Sequence, residues 1–436
     1  MYSGTRCAEI KRLTKANGGW QNGPLQPGAC AGGQGLPRHR RREGRERKLV
    51  GLNRKEKLER YFLSVINGQR QGRGANCLRF VLKRLSRIYR LVVAGRHFLF
   101  DKGIFRHHTL GCQVISIGNL TVGGTGKTPV VEVFARALQK EGRTVAVLSR
   151  GYKKQEHSFW KRLTDQFTGR ERRRAPRVVS DGNELLLDSA MSGDEPYMLA
   201  ANLRNVAVLV DKDRVKSGRY AIDKLHCDTL ILDDGFQYRA LKHRVEIVLV
   251  DCTNPFDNGH CLPRGLLRES IGNLRRADFI FITKSTGENQ DELKARLRAL
   301  SPKAEISECA HRAKYLQNVY TGERKDLDFL KGRSVALVSG IASPEGFESE
   351  IIRRGGVLVY LKRYADHHRY TQQEIIDLIN KSKKQQASVI ITTEKDAVRF
   401  PKIERQDVPI YFLRVEIELL SGVEDFYACI SRICFR

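Results

Sequence analysis

The sequence of 436 residues contains no apolar run of the roughly 18 residues that a membrane-spanning helix needs, and no secretory signal at its start. Its ten cysteines include no C-x-x-C pair and no regular framework, which excludes a disulfide-stapled secreted scaffold and indicates a reducing compartment. Acidic residues are scarce, since 49 Asp and Glu stand against 78 Lys and Arg, for a net charge of +29. We therefore expect a protein of the cytosol or of a membrane surface, with anionic partners.

The chain has enough apolar material to fold. Hydrophobic residues make up 41% of it, which excludes a wholly disordered or collagen-like polypeptide. Its length exceeds the roughly 100–200 residues of one average domain, so we expect two domains with extensions. The charge is concentrated at one end, because residues 1–110 contain 25 Lys and Arg against 6 Asp and Glu. The basicity is therefore mainly a property of the N-terminal quarter.

Residues 1–51 show no helical or strand periodicity. They contain two Gly-Gly pairs and a run of four arginines and one histidine at 38–42, so we expect a disordered basic extension. Two other interpretations stay open. One is an organelle transit peptide, although such peptides are rich in Ser where this segment is rich in Gly. The other is that translation starts near residues 52–56, so that 1–51 are absent from the mature protein.

Residues 52–110 are expected to form a basic helical region, because apolar side chains recur every three or four residues from Leu78 onward. The apolar positions are Leu78, Leu82, Leu85, Ile88, Tyr89 and Val92. The basic positions between them are Arg79, Lys83, Arg84, Arg87 and Arg90. This pattern predicts a basic amphipathic helix. Either it packs on the domain with a solvated basic face, or it lies on an anionic bilayer, where each Lys or Arg contributes about 1 kcal/mol.

The rest of the chain alternates short apolar runs with helical stretches. Buried strands are predicted at 113–117, 145–148, 206–210, 229–232, 247–250 and 279–282, with helices at 129–139 and 193–202. A second set has strands at 334–338, 356–361 and 387–392, with helices at 344–353 and 371–381. This order predicts a doubly wound, mostly parallel sheet in a domain at 111–329 and a smaller α/β domain at 330–436.

A glycine-rich segment lies between the strand at 113–117 and the helix at 129–139, which is the context of a P-loop. Its glycines let backbone N–H groups face phosphate oxygens, Lys127 supplies a positive charge, and the Thr128 hydroxyl is suited to Mg²⁺. The expected nucleotide-binding residues are Thr121, Val122, Gly123, Gly124, Thr125, Gly126, Lys127 and Thr128. Thr121 replaces the Gly of the strict pattern, so the motif is an atypical Walker A. A turn that binds nothing is the alternative.

A second acidic signal follows the apolar run 230–232, which ends in Asp233 and Asp234. An apolar strand that ends in Asp is typical of a Walker B motif, and we expect Thr128 and Asp233 to hold Mg²⁺. An Asp-Gly turn is the alternative. The segment 283–286 lacks the Asp of guanine-specific loops, which favours ATP over GTP. The fold class expected is therefore α/β, a P-loop NTPase-like sheet with a smaller α/β domain and an N-terminal amphipathic helix.

Seven motifs occur in order between residues 116 and 397, within a match that runs from about residue 55 to 430. They are Ser-Ile-Gly-Asn-Leu-Thr-Val-Gly-Gly-Thr-Gly-Lys-Thr-Pro at 116–129, Leu-Ser-Arg-Gly-Tyr at 148–152, Gly-Asp-Glu-Pro-Tyr at 193–197, Asp-Asp-Gly-Phe-Gln at 233–237, Leu-Pro-Arg-Gly-Leu-Leu-Arg-Glu at 262–269, Asp-His-His-Arg-Tyr at 366–370 and Thr-Glu-Lys-Asp-Ala at 393–397. Together they resemble the tetraacyldisaccharide 4′-kinase (lipid A 4′-kinase) family. Residues 1–51 and an Arg-rich insertion at 155–179 have no counterpart in the resemblance.

The resemblance implies an enzyme that transfers the ATP γ-phosphate to the 4′-hydroxyl of tetraacyldisaccharide 1-phosphate, a lipid A precursor. It implies a peripheral or monotopic protein at the cytoplasmic face of the bacterial inner membrane. The expected partners are this lipid and an anionic membrane surface, with no nucleic acid and no obligate protein partner. A basic amphipathic helix suits an acylated, anionic acceptor that is held in a bilayer.

The resemblance also assigns roles to site residues. Asp194 is implied to be the base that takes the 4′-hydroxyl proton, with His367 paired to it, because a His partner orients the carboxylate and shares the proton. His368 is a rival for that pairing. Without the resemblance, Asp194 is a helix-start residue. Asp233 and Asp234 are implied to position Mg²⁺ and phosphate.

Four further charged residues are expected to contact the acceptor or phosphate. They are Arg150, Arg214, Arg268 and Glu269. Each of them alone is otherwise a surface charge.

Two other classes of function remain open. One is a P-loop switch or metallochaperone-type ATPase that acts on a protein partner. The other is a basic nucleic-acid-binding protein, although no recognised nucleic-acid-reading motif accompanies the charge.

Overall fold

The computed structural model describes residues 61, 64–66, 68–151, 174–288, 290–404 and 407–435. The chain divides into two compact units, Met1–Leu63 and Ser64–Arg436, and all elements given below belong to the second unit. The interpretations of residues 1–51 and of most of the insertion at 155–179 lie outside the described residues.

The described part of the second unit contains thirteen strands and ten α-helices. The strands are β1 (Gln113–Asn119), β2 (Val145–Ser149), β3 (Arg177–Ser180), β4 (Ala207–Val210), β5 (Thr229–Asp233), β6 (Val245–Asp251), β7 (Phe279–Thr283), β8 (Glu305–Asn318), β9 (Arg324–Lys325), β10 (Ser334–Ser339), β11 (Val357–Arg363), β12 (Val389–Thr393) and β13 (Ile410–Ser421). The helices are α1 (Arg73–Asp101), α2 (Lys127–Lys140), α3 (Ser189–Ser192), α4 (Asp194–Asn202), α5 (Arg214–Leu225), α6 (Asp291–Leu300), α7 (Glu345–Arg353), α8 (Gln372–Lys384), α9 (Glu394–Ala397) and α10 (Val423–Cys434).

The strands form one mostly parallel sheet in the order β11-β10-β12-β13-β8-β7-β6-β1-β5-β2-β4-β3, with β9 paired to β8. The antiparallel pairs of the described strands are β13 with β8, β3 with β4, and β9 with β8. The predicted α/β fold is confirmed, and each of the nine predicted strands is present with its ends moved by a residue or two. The domain limits near residues 110 and 330 stay a prediction.

The long strands β8 and β13 are not predicted from the sequence. They are 14 and 12 residues long and pair antiparallel, which joins the two predicted sets of strands into one sheet. Their inner residues mix buried apolar side chains with charged and half-exposed ones, so they lack the continuous apolar runs by which the parallel strands are recognised. The last helix, α10, then packs on α2, with the rings of Phe134 and Phe426 5.0 Å apart.

Helix α1 is longer than the pattern from Leu78 indicates, and its buried side differs from the predicted apolar face. Its buried residues are Ala75, Leu82, Ser86, His97 and Phe100. Ser86 and His97 are polar, and they can be buried because each has a partner in the loop after β6. Ser86 Oγ donates to the Cys261 carbonyl (2.7 Å), and His97 Nε2 lies 3.6 Å from Glu269.

Several apolar residues of α1 are exposed instead. They are Phe80, Val81, Leu85, Ile88, Leu91, Val92 and Phe98. In the part of the chain that the structure describes, no helix is both long and apolar enough to cross a membrane.

Candidate active site

The carboxyl ends of adjacent parallel strands bring the predicted site residues to one edge of the sheet. β1 ends at Asn119 and runs into the glycine-rich loop, β2 ends at Ser149, and β5 ends at Asp233. β5 lies between β1 and β2 in the sheet. In open α/β sheets, ligands bind outside this edge, so the arrangement forms a candidate phosphate site.

The glycine-rich loop is held by polar contacts from the end of β1. The Asn119 side chain donates to Thr125 Oγ1 (3.0 Å), and Lys127 Nζ donates to Asn119 Oδ1 (3.4 Å). Gly126 precedes α2 with φ +78°, a conformation that favours glycine, and a Cβ there would collide with the His311 ring. The loop therefore delivers Lys127 and Thr128 to the start of α2, where free N–H groups and the helix dipole favour an anion.

Thr121, which departs from the strict motif, lies in extended backbone. It forms a bridge with Leu267, and the neighbouring Val122 N–H donates to the Leu266 carbonyl (2.8 Å). A residue in that conformation needs no positive φ, so Thr fits where other chains have Gly. The same contacts join the glycine-rich loop to the segment 262–269.

Two adjacent carboxylates occupy the end of β5, and their surroundings differ. Asp233 is buried and accepts from Ser149 Oγ (3.0 Å); burial, aided by the charges of Glu195 and Asp234, raises the pKa of Asp233 to about 6. Burial acts in the same sense on Asp234, but the positive charges of Lys127 and Arg268 hold the pKa of Asp234 below its usual value. Asp234 is therefore the ionised partner of the loop lysine, at 3.4 Å from Lys127 Nζ.

Arg268 connects the segment 262–269 to this pair. Its Nη1 donates to both carboxylate oxygens of Asp234 (2.9 and 2.7 Å) and to Gln237 Oε1 (3.3 Å). Its backbone carbonyl accepts from Tyr89 Oη of α1 (3.0 Å). The position of Arg268 thus depends on the glycine-rich loop, on β5 and on α1 together.

Asp194 lies in the first turn of α4, and three side chains contact its carboxylate. Oδ2 is 2.8 Å from Arg399 Nε and 3.0 Å from His367 Nδ1, and Oδ1 accepts from Arg369 (3.1 Å). Burial alone would raise the pKa of Asp194, but the hydrogen bond from His367 and the charges of Arg399 and Arg369 lower it below its usual value. Asp194 is therefore charged at neutral pH, and this carboxylate faces Nδ1 of His367.

The second set of strands supports Asp194 through a buried carboxylate, Asp396 in α9. Asp396 accepts from the Gly340 N–H (3.0 Å), from Tyr370 Oη (2.9 Å) and from Arg399 Nη1 (3.2 Å). The side chains of Asp396 and Arg399 are both fully buried. A fully satisfied buried network has one low-energy arrangement. The contacts of Arg399 with Asp396 therefore hold its guanidinium in the position from which Nε donates to Asp194.

The next residue of α4, Glu195, links this cluster to the phosphate site. Lys395 Nζ donates to Glu195 Oε1 (3.2 Å), and the Glu195 charge acts on Asp233. Two consecutive residues of the Gly-Asp-Glu-Pro motif therefore have different partners: Asp194 contacts His367, and the Glu195 charge acts on Asp233 at the end of β5.

The two adjacent histidines have different partners. His367 has a left-handed backbone (φ +61°), contacts Asp194 and has its Nε2 4.0 Å from Asp366. His368 is directed to Glu374 (3.1 Å) and stacks on the Tyr364 ring at 4.5 Å. The structure thus brings His367, and not His368, together with Asp194.

The four weaker candidates are distributed differently around the site. Arg214 is buried against the Tyr238 ring, and burial lowers its pKa although the charges of Asp233 and Asp234 oppose this. Arg150 is exposed beside it. Arg268 is on Asp234, as described. Glu269 has other partners. It is fully buried and accepts hydrogen bonds from Asn273 (2.7 Å) and Arg276 (3.0 Å).

The residues at the phosphate site fit a divalent cation bound with a nucleotide. Within the described ranges, no group of three or more His, Cys, Asp and Glu forms a metal cluster. A nucleotide-bound Mg²⁺ needs few protein ligands, because phosphates and water supply the others. Thr128 offers a half-buried hydroxyl, and Asp233 is a buried carboxylate crowded by two others. Neighbouring carboxylates that raise the pKa of Asp233 in this way favour a bound cation beside them.

Sequence reasoning missed the arginines that hold Asp194. Arg399 is 205 residues away from Asp194 in the chain, and Arg369 is 175 residues away. Both lie in or next to the quoted motifs at 366–370 and 393–397, and this was the available signal. Asn119, Ser149 and Lys395, which also lie in quoted motifs, were not singled out.

Known proteins resemble this chain over most of its length. The family model described as tetraacyldisaccharide-1-P 4′-kinase matches residues 78–434. The tetraacyldisaccharide 4′-kinase of Halothermothrix orenii is 33% identical over 389 residues, which are 85% of this chain and 97% of that protein. The one of Syntrophus aciditrophicus is 36% identical over 348 residues, 78% of this chain and 89% of that protein. The crystal structure of LpxK from Aquifex aeolicus in complex with ATP has a TM-score of 0.64 and 28% identity, covering 82% of this chain and 100% of that one.

Proposed function

Because the chain belongs to the tetraacyldisaccharide-1-P 4′-kinase family, and is a kinase on that ground, we propose that it transfers the γ-phosphate of ATP to the 4′-hydroxyl of tetraacyldisaccharide 1-phosphate in lipid A biosynthesis. One observation carries the proposal. Asp194 and Glu195 are consecutive residues of α4: Asp194 contacts His367 (3.0 Å), and the Glu195 charge acts on Asp233, the neighbour of the Lys127 partner Asp234. We therefore propose that the phosphoryl donor and the proton acceptor meet beside this motif.

In this proposal, the glycine-rich loop binds the ATP phosphates. The backbone N–H groups of residues 121–128 face the phosphate oxygens, and Lys127 neutralises the charge that develops during transfer. Thr128 and Asp233 would hold Mg²⁺, which supplies charge neutralisation on the phosphates when bound. Lys127 Nζ lies 3.4 Å from Asp234 Oδ1, so we expect the bound γ-phosphate to compete with Asp234 for this lysine.

Asp194 and His367 act together as the base for the 4′-hydroxyl. The depressed pKa of Asp194 makes it a weak proton acceptor by itself, so the proton is shared by the pair rather than held by one carboxylate. Asp194 keeps the Nδ1 proton of His367 in place, which fixes the ring and its tautomer.

The remaining charged residues serve the acceptor and the phosphate. Arg268 orients Asp234, and with Arg214 and Arg150 it adds positive charge around the transferred group. Glu269 acts indirectly in this proposal, because it is fully buried and pairs with Arg276 instead of facing a ligand.

We also propose that α1 places the enzyme on an anionic membrane surface, at the cytoplasmic face of the bacterial inner membrane. The support is its exposed apolar side, where Leu91 is 68% and Val92 66% exposed, together with its basic residues. Isolated exposed apolar residues are ordinary, but seven on one helix are typical of an interaction surface. This proposal includes no nucleic acid and no obligate protein partner.

The experiment is transfer of labelled γ-phosphate from ATP to tetraacyldisaccharide 1-phosphate in detergent micelles. We expect the wild type to label the lipid, and Lys127→Ala and Asp194→Asn to lose most of this activity. Asp188→Asn is the matched control, because Asp188 is exposed, lies on the same segment and caps α3, a role that Asn also fills. ATP hydrolysis without lipid labelling would instead indicate the P-loop switch or metallochaperone-type ATPase.

A further inference from the structure

A cavity of about 280 Å³ lies between α1 and the loop 259–271, outside the site described above. Its α1 wall contains Lys83, Arg87 and Arg90, and its loop wall contains His260, Cys261 and Leu267. The spacing of the three basic residues, four and three apart, puts them on one side of the helix. Ser86 also lines the cavity, and its hydroxyl donates to the Cys261 carbonyl (2.7 Å), which joins the two walls.

The charge in this cavity is not neutralised. Within the described residues, no carboxylate forms an ion pair with Lys83, Arg87 or Arg90, whereas Lys127, Arg268 and Arg399 near the phosphate site each have one. Burial lowers the pKa of His260, and the charges that lower it further are those of Arg264, Lys83, Arg87 and Arg90. The three cations that line this half-enclosed space, Lys83, Arg87 and Arg90, repel one another, and a bound anion removes that cost.

The place of the cavity indicates where the anion comes from. The helix that forms one wall exposes Leu85, Ile88 and Val92 on another side. An interfacial helix buries its apolar side roughly 5–10 Å into the boundary of headgroups and acyl chains. Since a helix with side chains is roughly 10–12 Å wide, the flank of such a helix lies at the depth of the lipid phosphates.

The other wall of the cavity leads to the phosphoryl site. Leu267 lines the cavity, and the next residue, Arg268, donates to Asp234. An anion held here is therefore separated from the transferred phosphate by the segment 262–269.

From these observations we propose that the cavity between α1 and the loop 259–271 binds the phosphate group of a membrane lipid. This deepens the proposed function and rests on it for the location at a bilayer. Two sources share this chemistry, the 1-phosphate of the acceptor and the headgroup of an anionic phospholipid. In both cases Arg87 and Arg90 donate charge-assisted hydrogen bonds to phosphate oxygens.

The test compares two double variants of the full chain that remove equal charge from α1. Arg87→Ala with Arg90→Ala empties the cavity of two donors, whereas Arg73→Ala with Arg84→Ala removes two cations that do not line it. Arg87→Lys with Arg90→Lys keeps the charge and serves as the rescue. Thermal unfolding of each variant checks that the fold is kept.

The first arm measures kcat and KM for the acceptor in neutral detergent micelles without phospholipid. The second arm measures sedimentation with vesicles of phosphatidylglycerol and phosphatidylcholine, without acceptor. The cavity variant is expected to lose about tenfold or more relative to the control variant, in KM if the ligand is the acceptor 1-phosphate, or in vesicle affinity if it is a phospholipid.

Equal behaviour of the cavity and control variants in both arms would overturn the proposal, because the cations would then act only through general charge. The double Lys variant keeps the charge, so it is expected to bind better than the double Ala variant. If both lose binding equally, charge-assisted binding has no support and the proposal is also overturned. The second arm needs no kinase activity, so failure of the proposed function is seen separately, as a wild type that binds vesicles but does not phosphorylate the acceptor.

Discussion

Replacement of Arg399 by Met tests the idea that a buried arginine sets the protonation of the Asp194–His367 pair. Arg399 is fully buried, and its Nε donates to Asp194 (2.8 Å) while Nη1 donates to Asp396 (3.2 Å) and to the Gly340 carbonyl (3.1 Å). The substitution keeps most of the side-chain volume and removes the charge. Asp194 retains Arg369 and His367 as partners.

The expected shift follows from the one bond that Asp194 loses. A hydrogen bond to a charged group contributes about 1.5–3 kcal/mol, and about 1.4 kcal/mol corresponds to one pKa unit. Arg399 favours the charged carboxylate, so its removal raises the pKa of Asp194. Because the pair must be deprotonated to accept the hydroxyl proton, the acid limb of kcat/KM is expected to move up by roughly one to two pH units.

The assay is the pH dependence of kcat/KM for lipid phosphorylation, with thermal unfolding measured in parallel. Removal of one partner of a buried ion pair costs about 3–5 kcal/mol, so the variant is also less stable, and measurements are made well below its unfolding temperature. Arg399→Lys, which keeps a charge near Asp194, is expected to shift the acid limb less. Arg363→Met is the control, since Arg363 pairs with Glu348 (2.6 Å) and not with Asp194.

An acid limb that stays in place in a folded Arg399→Met variant would refute this reasoning, and so would a shift to lower pH. A lower kcat/KM at all pH values with an unchanged profile would mean that Arg399 only supports the fold.

Three further predictions concern contacts around the site. Tyr89→Phe removes the hydrogen bond from α1 to the Arg268 carbonyl, and we expect kcat to fall about two- to tenfold with little change in the melting temperature. An unchanged kcat would mean that this contact of α1 does not position Arg268 for catalysis. Arg414→Met leaves the buried Glu132 and the half-buried Glu394 without their shared cation. Urea unfolding is therefore expected to show a loss of about 3–5 kcal/mol, and a loss below about 1 kcal/mol would contradict this. His368→Asn should keep most of the lipid kinase activity, because that ring is directed to Glu374, whereas an activity as low as that of His367→Asn would reverse the assignment.

The parallel strands and the phosphate site could be predicted because their signals are local. A strand buried on both faces has a continuous apolar run, and β1, β2, β5, β6 and β7 were recognised in this way. The turn from β1 to α2 requires glycines at the two positions with positive φ, Gly123 and Gly126, which the motif contains. Each of these signals is contained in one short, continuous stretch of sequence.

The resemblance implied the pairing of His367 with Asp194, but the arginines around Asp194 could not be predicted from the sequence. Arg369 and Arg399 lie 175 and 205 residues away and belong to two other segments, the loop after β11 and the turn after α9. A charged side chain in a motif does not indicate whether it is buried, and Arg399 is buried because Asp396 and the Gly340 carbonyl replace its water.

The sequence pattern could not decide between the two orientations of α1 for a related reason. Periodicity identifies an apolar side but not what that side contacts, and in the structure Leu85, Ile88 and Val92 are exposed whereas Ser86 is buried. The loop 259–271 supplies a hydrogen-bond partner for Ser86, which makes the burial of a polar residue acceptable.

The most direct test of the central claim is to locate the phosphate in the product. Tetraacyldisaccharide 1-phosphate is incubated with ATP, Mg²⁺ and the wild-type chain, and the purified lipid is analysed by phosphorus–proton correlation NMR. The account predicts a second phosphate monoester coupled to the proton on carbon 4′, formed by the wild type and by His368→Asn but not by Asp194→Asn. A phosphate at another position, or release of inorganic phosphate with an unchanged lipid, would contradict it.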